Sequence, residues 1–376
     1  MKLCVVGPAY PFRGGIAHHT TLLCRHLAER GEVNAAVFKR LYPSFLFPGK
    51  SQLDPSAKAC KFNAIPLIDS LDPRTWIDAG RFVRDLAADL VLIQWWQPFF
   101  GPCLASIASR AKIHSKVAFI CHNVLPHERM PFARSLAMRA LRHGHAFIVH
   151  SGQDMRDLKS LMPDLPPHAI RQTVHPQYEV FPKTGMTKEE ARRRLGVEGR
   201  IVLFFGLVRK YKGLTDLVDA MPLVKTPDVT CIAAGEFYDR KADYVAQVER
   251  LGLVGRVRLI DRYVPNEEVE QYFAAADVVA LPYRSATQSG IAQIAFRFER
   301  PVIATSVGGL PESIDDGRTG ILVPPGDPNA LARAIDRYFE EGLESGYSSA
   351  IREDAQRFSW DRVIEAIQTL GDSIRA

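Results

Sequence analysis

Residues 278–312 read VVALPYRSATQSGIAQIAFRFERPVIATSVGGLPE. Val278 to Leu281 is an apolar run of strand length, broken at Pro282. Small polar residues follow from Ser285 to Gly290. The stretch IAQIAFRF then has helical period, and Pro301 to Thr305 is a second apolar run. Strand, loop, helix and strand within so short a span is a βαβ unit, whose strands must be parallel. Thr287, Gln288, Ser289 and Gly290 would open the helix, where free N–H groups and the helix dipole favour an anion. A plain N-cap by Ser285 or Ser289 accounts for the same residues without a ligand.

The same rhythm runs along the whole chain. Strands are expected at LCVVG, VNAAVF, DLVLIQ, KVAFIC, AFIVH and AIRQTV, with amphipathic helices between them. Residues 176–200, PQYEVFPKTGMTKEEARRRLGVEGR, are rich in Pro, Gly and charge, and a domain boundary is expected there. Beyond it the alternation restarts at IVLFFG, and FSWDRVIEAIQTL closes the chain as a helix. The fold class expected is α/β with two doubly wound domains facing across a cleft.

Composition narrows the function. At 376 residues, two domains are expected. The net charge is +6, and the absence of a Lys/Arg block of five or six gives a nucleic-acid arm no support. The six cysteines are scattered with no C-x-x-C pair, which argues against structural zinc and a disulfide framework and fits a cytoplasmic protein. The start, MKLCVVGPAYP, is too soon broken by Pro8 and Pro11 for a signal peptide. Residues 90–109 carry no charge over a spanning length, but Gln94, Gln97, Pro98, Gly101 and Pro102 divide them into strand, loop and helix start.

Four further stretches hold candidate chemistry. In FFGLVRKYKGL, Gly206 ends a strand, and Arg209, Lys210 and Lys212 precede Gly213. Cations at a strand's carboxyl end suit a phosphate or diphosphate, and a solvated basic loop is the alternative. In GPAYPFRGGIAHHT, Gly14 and Gly15 lie between strand and helix without forming a dinucleotide fingerprint. His18 and His19 follow, with a structural role favoured. In FICHNVLPHE, His122 ends a strand, where an active-site residue or a hydrogen-bonded loop histidine would sit, and His127 and Glu128 follow. In FARSLAMRALRHG, Arg134, Arg139 and Arg142 share one helical arc. That arc suits an anionic membrane surface, or a helix packed plainly on its sheet.

Taken together, FRGGIAHHTTLL, HN at 122–123, FFGLVRKYKGL, AAGE, DRYVPNEEVEQYFAAADVVALPY, SATQSGIAQIAF, VIATSVGGLPESIDDGRTGILVPPGDP and FSW resemble the family 4 retaining glycosyltransferases of the GT-B fold. The resemblance implies an acceptor-side Rossmann-like domain at 1–180, a nucleotide-sugar-binding domain at 181–357 and a C-terminal helix at 358–376 packing back toward the first domain. It implies that Lys212 and Arg209 bind the donor diphosphate, Arg209 standing in for the arginine that usually occupies the position of Leu207. Gly206, Gly235, Glu236, Tyr263, Val264, Thr287, Gln288, Ser289, Gly290 and Ile291 would line the donor, with the base held by Arg262–Val264. Gly14, Gly15 and His18 would form an acceptor or phosphate loop, and His122 would position the donor sugar. One departure stands out. The family carries two glutamates where this chain has Thr287 and Ala295, so ribose contact is altered.

The function implied is retaining, metal-independent transfer of a hexose from a nucleotide-diphosphate sugar to a hydroxyl acceptor in a glycan, glycolipid or small glycoside. No cofactor is expected. A non-catalytic nucleotide-sugar-binding scaffold is the alternative, and a GT-B epimerase would need a carboxylate pair that the cleft residues do not offer. A cytoplasmic protein with peripheral membrane contact is the location consistent with these readings. Base, sugar, acceptor and oligomeric state are not legible.

Overall fold

The computed structural model describes residues 1–43, 47, 49–56, 62, 64–126 and 130–374. In chain order the first part is β1 (Leu3–Gly7), α1 (Gly15–Ala28), β2 (Val33–Arg40), β3 (Ile65–Asp69), α2 (Pro73–Leu86), β4 (Leu90–Trp95), α3 (Gly101–Ala111), β5 (Lys116–Cys121), α4 (Ala133–Leu141), β6 (Ala146–Val149), α5 (Gly152–Leu161) and β7 (Ile170–Gln172). The second part is α6 (Lys188–Leu195), β8 (Arg200–Phe205), α7 (Leu214–Ala220), β9 (Val229–Ala234), α8 (Lys241–Arg250), β10 (Val257–Ile260), α9 (Val269–Ala275), β11 (Val278–Leu281), α10 (Gly290–Arg297), β12 (Val302–Thr305), α11 (Leu310–Ser313), β13 (Gly320–Val323), α12 (Pro328–Glu340), α13 (Glu344–Glu353) and α14 (Trp360–Ser373).

Two compact units divide the chain. The first is Met1–Asp54, Ala59–Pro176 and Ser359–Ala376, and the second is Pro55–Lys58 and Gln177–Phe358. Each is built on one all-parallel sheet. The first sheet has the order β3-β2-β1-β4-β5-β6-β7 and the second β10-β9-β8-β11-β12-β13. Both orders run outward in two directions from a central pair, β1/β4 and β8/β11. At that reversal the loops after the two strands diverge and leave a crevice at the carboxyl ends. The strands are apolar on both faces because helices cover both: β4, β5 and β11 are buried along their whole lengths or nearly so.

Four elements were not foreseen from sequence: β3, α6, α13 and the one-turn α11. The edge strand β3 includes Pro66 and is half exposed, so neither its composition nor its burial marks it as a strand. The 176–200 stretch holds α6 inside the second unit. Thr187 caps α6 by accepting the Glu190 amide at 3.2 Å, Glu189 and Glu190 occupy its first turn, and Gly196 ends it in the left-handed region. Its apolar stripe is thin: Ala191 packs on Ala274 and Ala275 of α9, with Leu195 at the edge. The helix α13 packs through Tyr347, Ala350 and Ile351.

Two apolar stretches resolve into ordinary core. Residues 90–111 form β4 and α3, and among the described residues no helix is long and apolar enough to cross a membrane. In α4 the apolar arc faces the first unit's core through Ala137, Ala140 and Leu141, leaving Phe132 80% exposed ahead of it and Arg134 bonded to the Ser160 carbonyl at 3.0 Å.

Candidate functional site

The second unit's switch point gathers two loops. After β8 come Gly206, Arg209, a 3₁₀ turn at Lys210–Lys212 and Gly213. After β11 come Pro282, Tyr283 and Arg284. The Arg284 amide donates to the Tyr211 carbonyl at 2.7 Å, and its guanidinium grips both oxygens of Asp216 at the start of α7, at 2.5 and 2.9 Å. Gly213 has φ +67°, and a β-carbon there would lie 1.9 Å from the Pro282 oxygen. Only glycine fits both demands. Gly206, at φ +99°, lies where a β-carbon would meet Ile291 Cδ1 at 3.0 Å and Lys212 Nζ at 3.4 Å. The structure therefore brings Gly206, Lys212 and the first turn of α10 to one place. The Gly206 amide donates to Ala234 at 2.9 Å, which sets Gly235 beside them.

Lys212 is 9% exposed. Burial, and then the Arg209 cation, push its ammonium down to about 8, and among the described residues no carboxylate offsets either effect. Its Nζ stands 5.7 Å over the Tyr283 ring, and the Arg209 guanidinium lies 4.9 Å over the Tyr238 ring. Two cations, one of them buried without a countercharge among the described residues, make a site that an anion would stabilise.

The α10 N-terminus adds to that field. Ser289 caps it, its hydroxyl accepting the Ala292 amide at 3.3 Å. The capping reading of the opening stretch is thus what the structure shows for Ser289. The Gly290 and Ile291 amides remain first-turn donors with no acceptor outside the helix among the described residues. Thr287 and Ser289 are buried and Gln288 is half-buried, with Thr287 O accepting from Gly309 at 3.0 Å.

Other expected donor residues fall on neighbouring loops of the same unit. Glu236 is buried after β9, its carbonyl accepting from Val208 at 2.9 Å. Val264 is buried and Tyr263 half-buried, while Arg262 pairs with Glu268 and donates to the Tyr272 hydroxyl at 3.1 Å. Ala295 is fully buried. Gln293 was missed in sequence. It is fully buried on α10, and neither side-chain amide atom has a hydrogen-bond partner among the described residues. Its signal was a single amide in the apolar run IAQIAF.

Gly14, Gly15, His18 and His122 belong to the first unit. Gly14, at φ +103°, precedes α1, and His18 Nε2 lies 3.9 Å from Asp54 Oδ2 with burial pushing its imidazole down to about 4. His122 does not stand alone. Its ring centroid is 4.6 Å from that of His19 and 5.4 Å from that of His150, and His175 adjoins all three. His150 and His175 were not singled out from sequence, though the signal was there: the adjacent strands β5, β6 and β7 run into FICH, FIVH and QTVH. His127 and Glu128 lie outside the described residues.

The class this defines is a pair of doubly wound parallel-sheet α/β units whose structural neighbours are GT-B glycosyltransferases. Over the full length of both chains it superposes on Anabaena HepE solved in complex with UDP, at TM-score 0.74 and 20% identity. HepE has also been solved with UDP-glucose. Sucrose-phosphate synthase from Thermosynechococcus elongatus aligns at TM-score 0.73 and 20% identity, covering 100% of this chain and 98% of that one.

Residues 199–341, the larger part of the second unit, match the family model described as glycosyl transferases group 1. In sequence the chain is similar to the D-inositol 3-phosphate glycosyltransferase of Corynebacterium diphtheriae, 31% identical over 207 residues, 52% of this chain and 48% of that one. That of Mycolicibacterium gilvum is 31% identical over 202 residues, 52% and 45% of the two chains. The chain thus spans about half the length of these curated relatives.

Proposed function

We propose that the protein is a retaining glycosyltransferase that moves a hexose from a nucleotide-diphosphate sugar to an acceptor hydroxyl. The observation that carries the proposal is Lys212, a buried ammonium next to Arg209 at a switch point, with no carboxylate among the described residues to balance it. A diphosphate supplies that balance. The UDP and UDP-glucose complexes of HepE and the group 1 match over the same unit support this choice of anion.

Transfer breaks the bond between the sugar's anomeric carbon and the diphosphate oxygen. Negative charge grows on that oxygen as the bond lengthens. Lys212, Arg209 and the Gly290 and Ile291 amides would stabilise it, and preorganised charge of this kind accounts for most of the rate enhancement in many enzymes. These protein groups supply the positive charge a divalent ion would otherwise bring to a diphosphate. The acceptor oxygen bonds the anomeric carbon from the face the diphosphate leaves, and the acceptor's proton passes to a leaving phosphate oxygen. No enzyme carboxylate is needed as nucleophile, so Thr287 and Ala295 are compatible with turnover. Donor specificity is proposed to lie with Glu236, Tyr263, Val264 and Gln288, on the loops around the same strand ends. Gly14, Gly15 and His18 are proposed for the acceptor side.

The test is incubation with UDP- and GDP-sugars while following nucleotide release, beside equilibrium binding of UDP and GDP. Release in wild type, lost in Lys212→Ala and Arg209→Ala together with binding, supports the reading. Tight binding without release under any acceptor would make the protein a nucleotide-sugar-binding scaffold. Unchanged binding in both variants would remove the clamp.

A further inference from the structure

The first unit has its own switch point, between β1 and β4, and four histidines converge in the unit that contains it. His19 comes from α1. His122, His150 and His175 follow β5, β6 and β7, adjacent strands in one sheet. The register pairs Cys121 with Val149, so His122 and His150 are the next residues on each strand. One ring nitrogen from each of His19, His122 and His150 lies within 4.8 Å of the other two. The six ring-centroid separations among the four imidazoles run from 4.6 to 6.4 Å.

Hydrogen bonds to main-chain carbonyls set two of the tautomers. The Gln94 side-chain oxygen lies 2.5 Å from His122 Nε2, the Thr173 carbonyl 3.3 Å from His150 Nδ1 and the Pro176 carbonyl 2.9 Å from His175 Nδ1. A main-chain carbonyl only accepts, so His150 Nδ1 and His175 Nδ1 carry the proton. His150 Nε2 and His175 Nε2 therefore carry lone pairs, and His122 Nδ1 carries one when the Gln94 oxygen faces Nε2. His19 can offer one N–H to the group. His19 is fully buried, and neither of its nitrogens has a hydrogen-bond partner among the described residues, nor does His150 Nε2. The cluster is rich in lone pairs and poor in positive charge.

We propose that His19, His122, His150 and His175 form a binding site for a divalent transition-metal ion of the zinc class. An imidazole whose far nitrogen donates to a carbonyl or amide oxygen is the usual form of a metal-ligating histidine. Imidazole ligands suit zinc and its late first-row neighbours. Four rings around a tetrahedral ion, each nitrogen about 2.0–2.1 Å from it, place their centroids about 5 Å apart. The observed separations bracket that value. Small ring rotations would bring the His19, His122 and His150 nitrogens from within 4.8 Å of one another to the roughly 3.4 Å edge of such a tetrahedron, with the His175 ring, 5.4–6.4 Å from the other three, as the fourth corner. Trp360 of α14, its ring 5.1 Å from that of His19, covers the group. The ion would tie α1 to the ends of three strands. It belongs to the first unit, whereas the diphosphate clamp belongs to the second.

The full-length chain, stripped with a chelator and shown by circular dichroism to remain folded, is titrated with zinc against a chromophoric competitor. Cobalt(II) is then added to a second stripped sample. One zinc per chain is expected, and the strong visible absorption of tetrahedral nitrogen ligation is expected with cobalt. His150→Gln and His175→Gln should each abolish stoichiometric binding. Gln94→Leu, which removes an orienting group and no ligand, should weaken zinc about 10–100-fold. Absence of binding to the folded, stripped wild type would overturn the proposal. So would binding that survives both histidine variants, which would place the zinc on surface histidines. UDP affinity, measured on the same samples, reports the clamp separately: zinc binding can fail while UDP binding stands, and the converse.

Discussion

Gly213 and Pro282 touch so closely that a β-carbon on the first would sit 1.9 Å from the carbonyl oxygen of the second. The contact joins the loop after β8 to the loop after β11, and so sets how Lys212 faces the first turn of α10. Gly213→Ala must also hold φ +67°, a left-handed conformation that disfavours any side chain. We expect a loss of about 2–4 kcal/mol in urea unfolding. UDP affinity should fall in the fraction that stays folded. A variant with wild-type stability would show that the two loops are not in contact.

Lys212 should make the protein less stable than it could be. Its fall from 10.5 to about 8 corresponds to about 3 kcal/mol of unfavourable environment for the charged form. The sign follows from proton counts. Between about pH 8 and 10.5 the unfolded chain holds the lysine proton and the folded chain has released it, so stability rises with pH across that window. Lys212→Met should therefore raise the melting temperature of the ligand-free protein and flatten the rise. UDP affinity should move the opposite way in wild type, weakening as pH climbs through about 8. If Lys212→Met melts below wild type, the ammonium is already satisfied by the protein.

Arg284 is expected to position the proposed clamp. It holds Asp216 with both guanidinium arms and the Tyr211 carbonyl with its amide. Asp216 is buried whereas the arginine is half exposed, so screening limits the pair's net worth. Arg284→Ala leaves a buried carboxylate unpaired and should cost about 1–3 kcal/mol. It should also raise the Michaelis constant for the donor more than it lowers turnover. Arg284→Lys should restore part of the stability, since one contact to Asp216 survives, but less of the binding, because a point charge cannot span both oxygens. Equal kinetics in all three proteins would limit Arg284 to surface charge.

Much of this architecture was legible because parallel strands buried on both faces must be apolar along their length. Leu3–Gly7, Lys116–Cys121 and Val278–Leu281 announce themselves in that way. The glycine-flanked cations of FFGLVRKYKGL marked a candidate anion loop for an equally direct reason, that close backbone approach and charge are both written in residue type, and Lys212 is found buried beside Gly206 there. What escaped was set by partners distant in sequence. β3 is a strand because it pairs with β2, not because IPLID favours one. α6 is a helix through its caps and a few contacts with α9, and its charged sequence resembles a linker. The histidine cluster escaped because each histidine is unremarkable within its own segment. Only the strand order β5-β6-β7 places three of them side by side.

Glu270 carries the last expectation. It lies buried on α9 and accepts from the amides of Thr184, Gly185 and Met186 at 2.7, 3.0 and 3.2 Å, and from the Thr184 hydroxyl at 2.6 Å. Burial alone would raise its carboxyl. The hydrogen bonds from Thr184, Met186 and Gly185 outweigh burial and hold it below the usual glutamate range. The folded chain therefore releases this proton more readily than the unfolded chain. The resulting stability is complete above the ordinary value of 4.5 and is lost as pH falls through the lower folded value. Glu270→Gln keeps one acceptor but turns an NH₂ group toward donors, so it should cost about 2–4 kcal/mol at neutral pH. The variant should also lose less stability than wild type on going from about pH 6 to about pH 3. Parallel pH–stability curves for the two proteins would show that the 183–186 turn does not depend on this carboxylate.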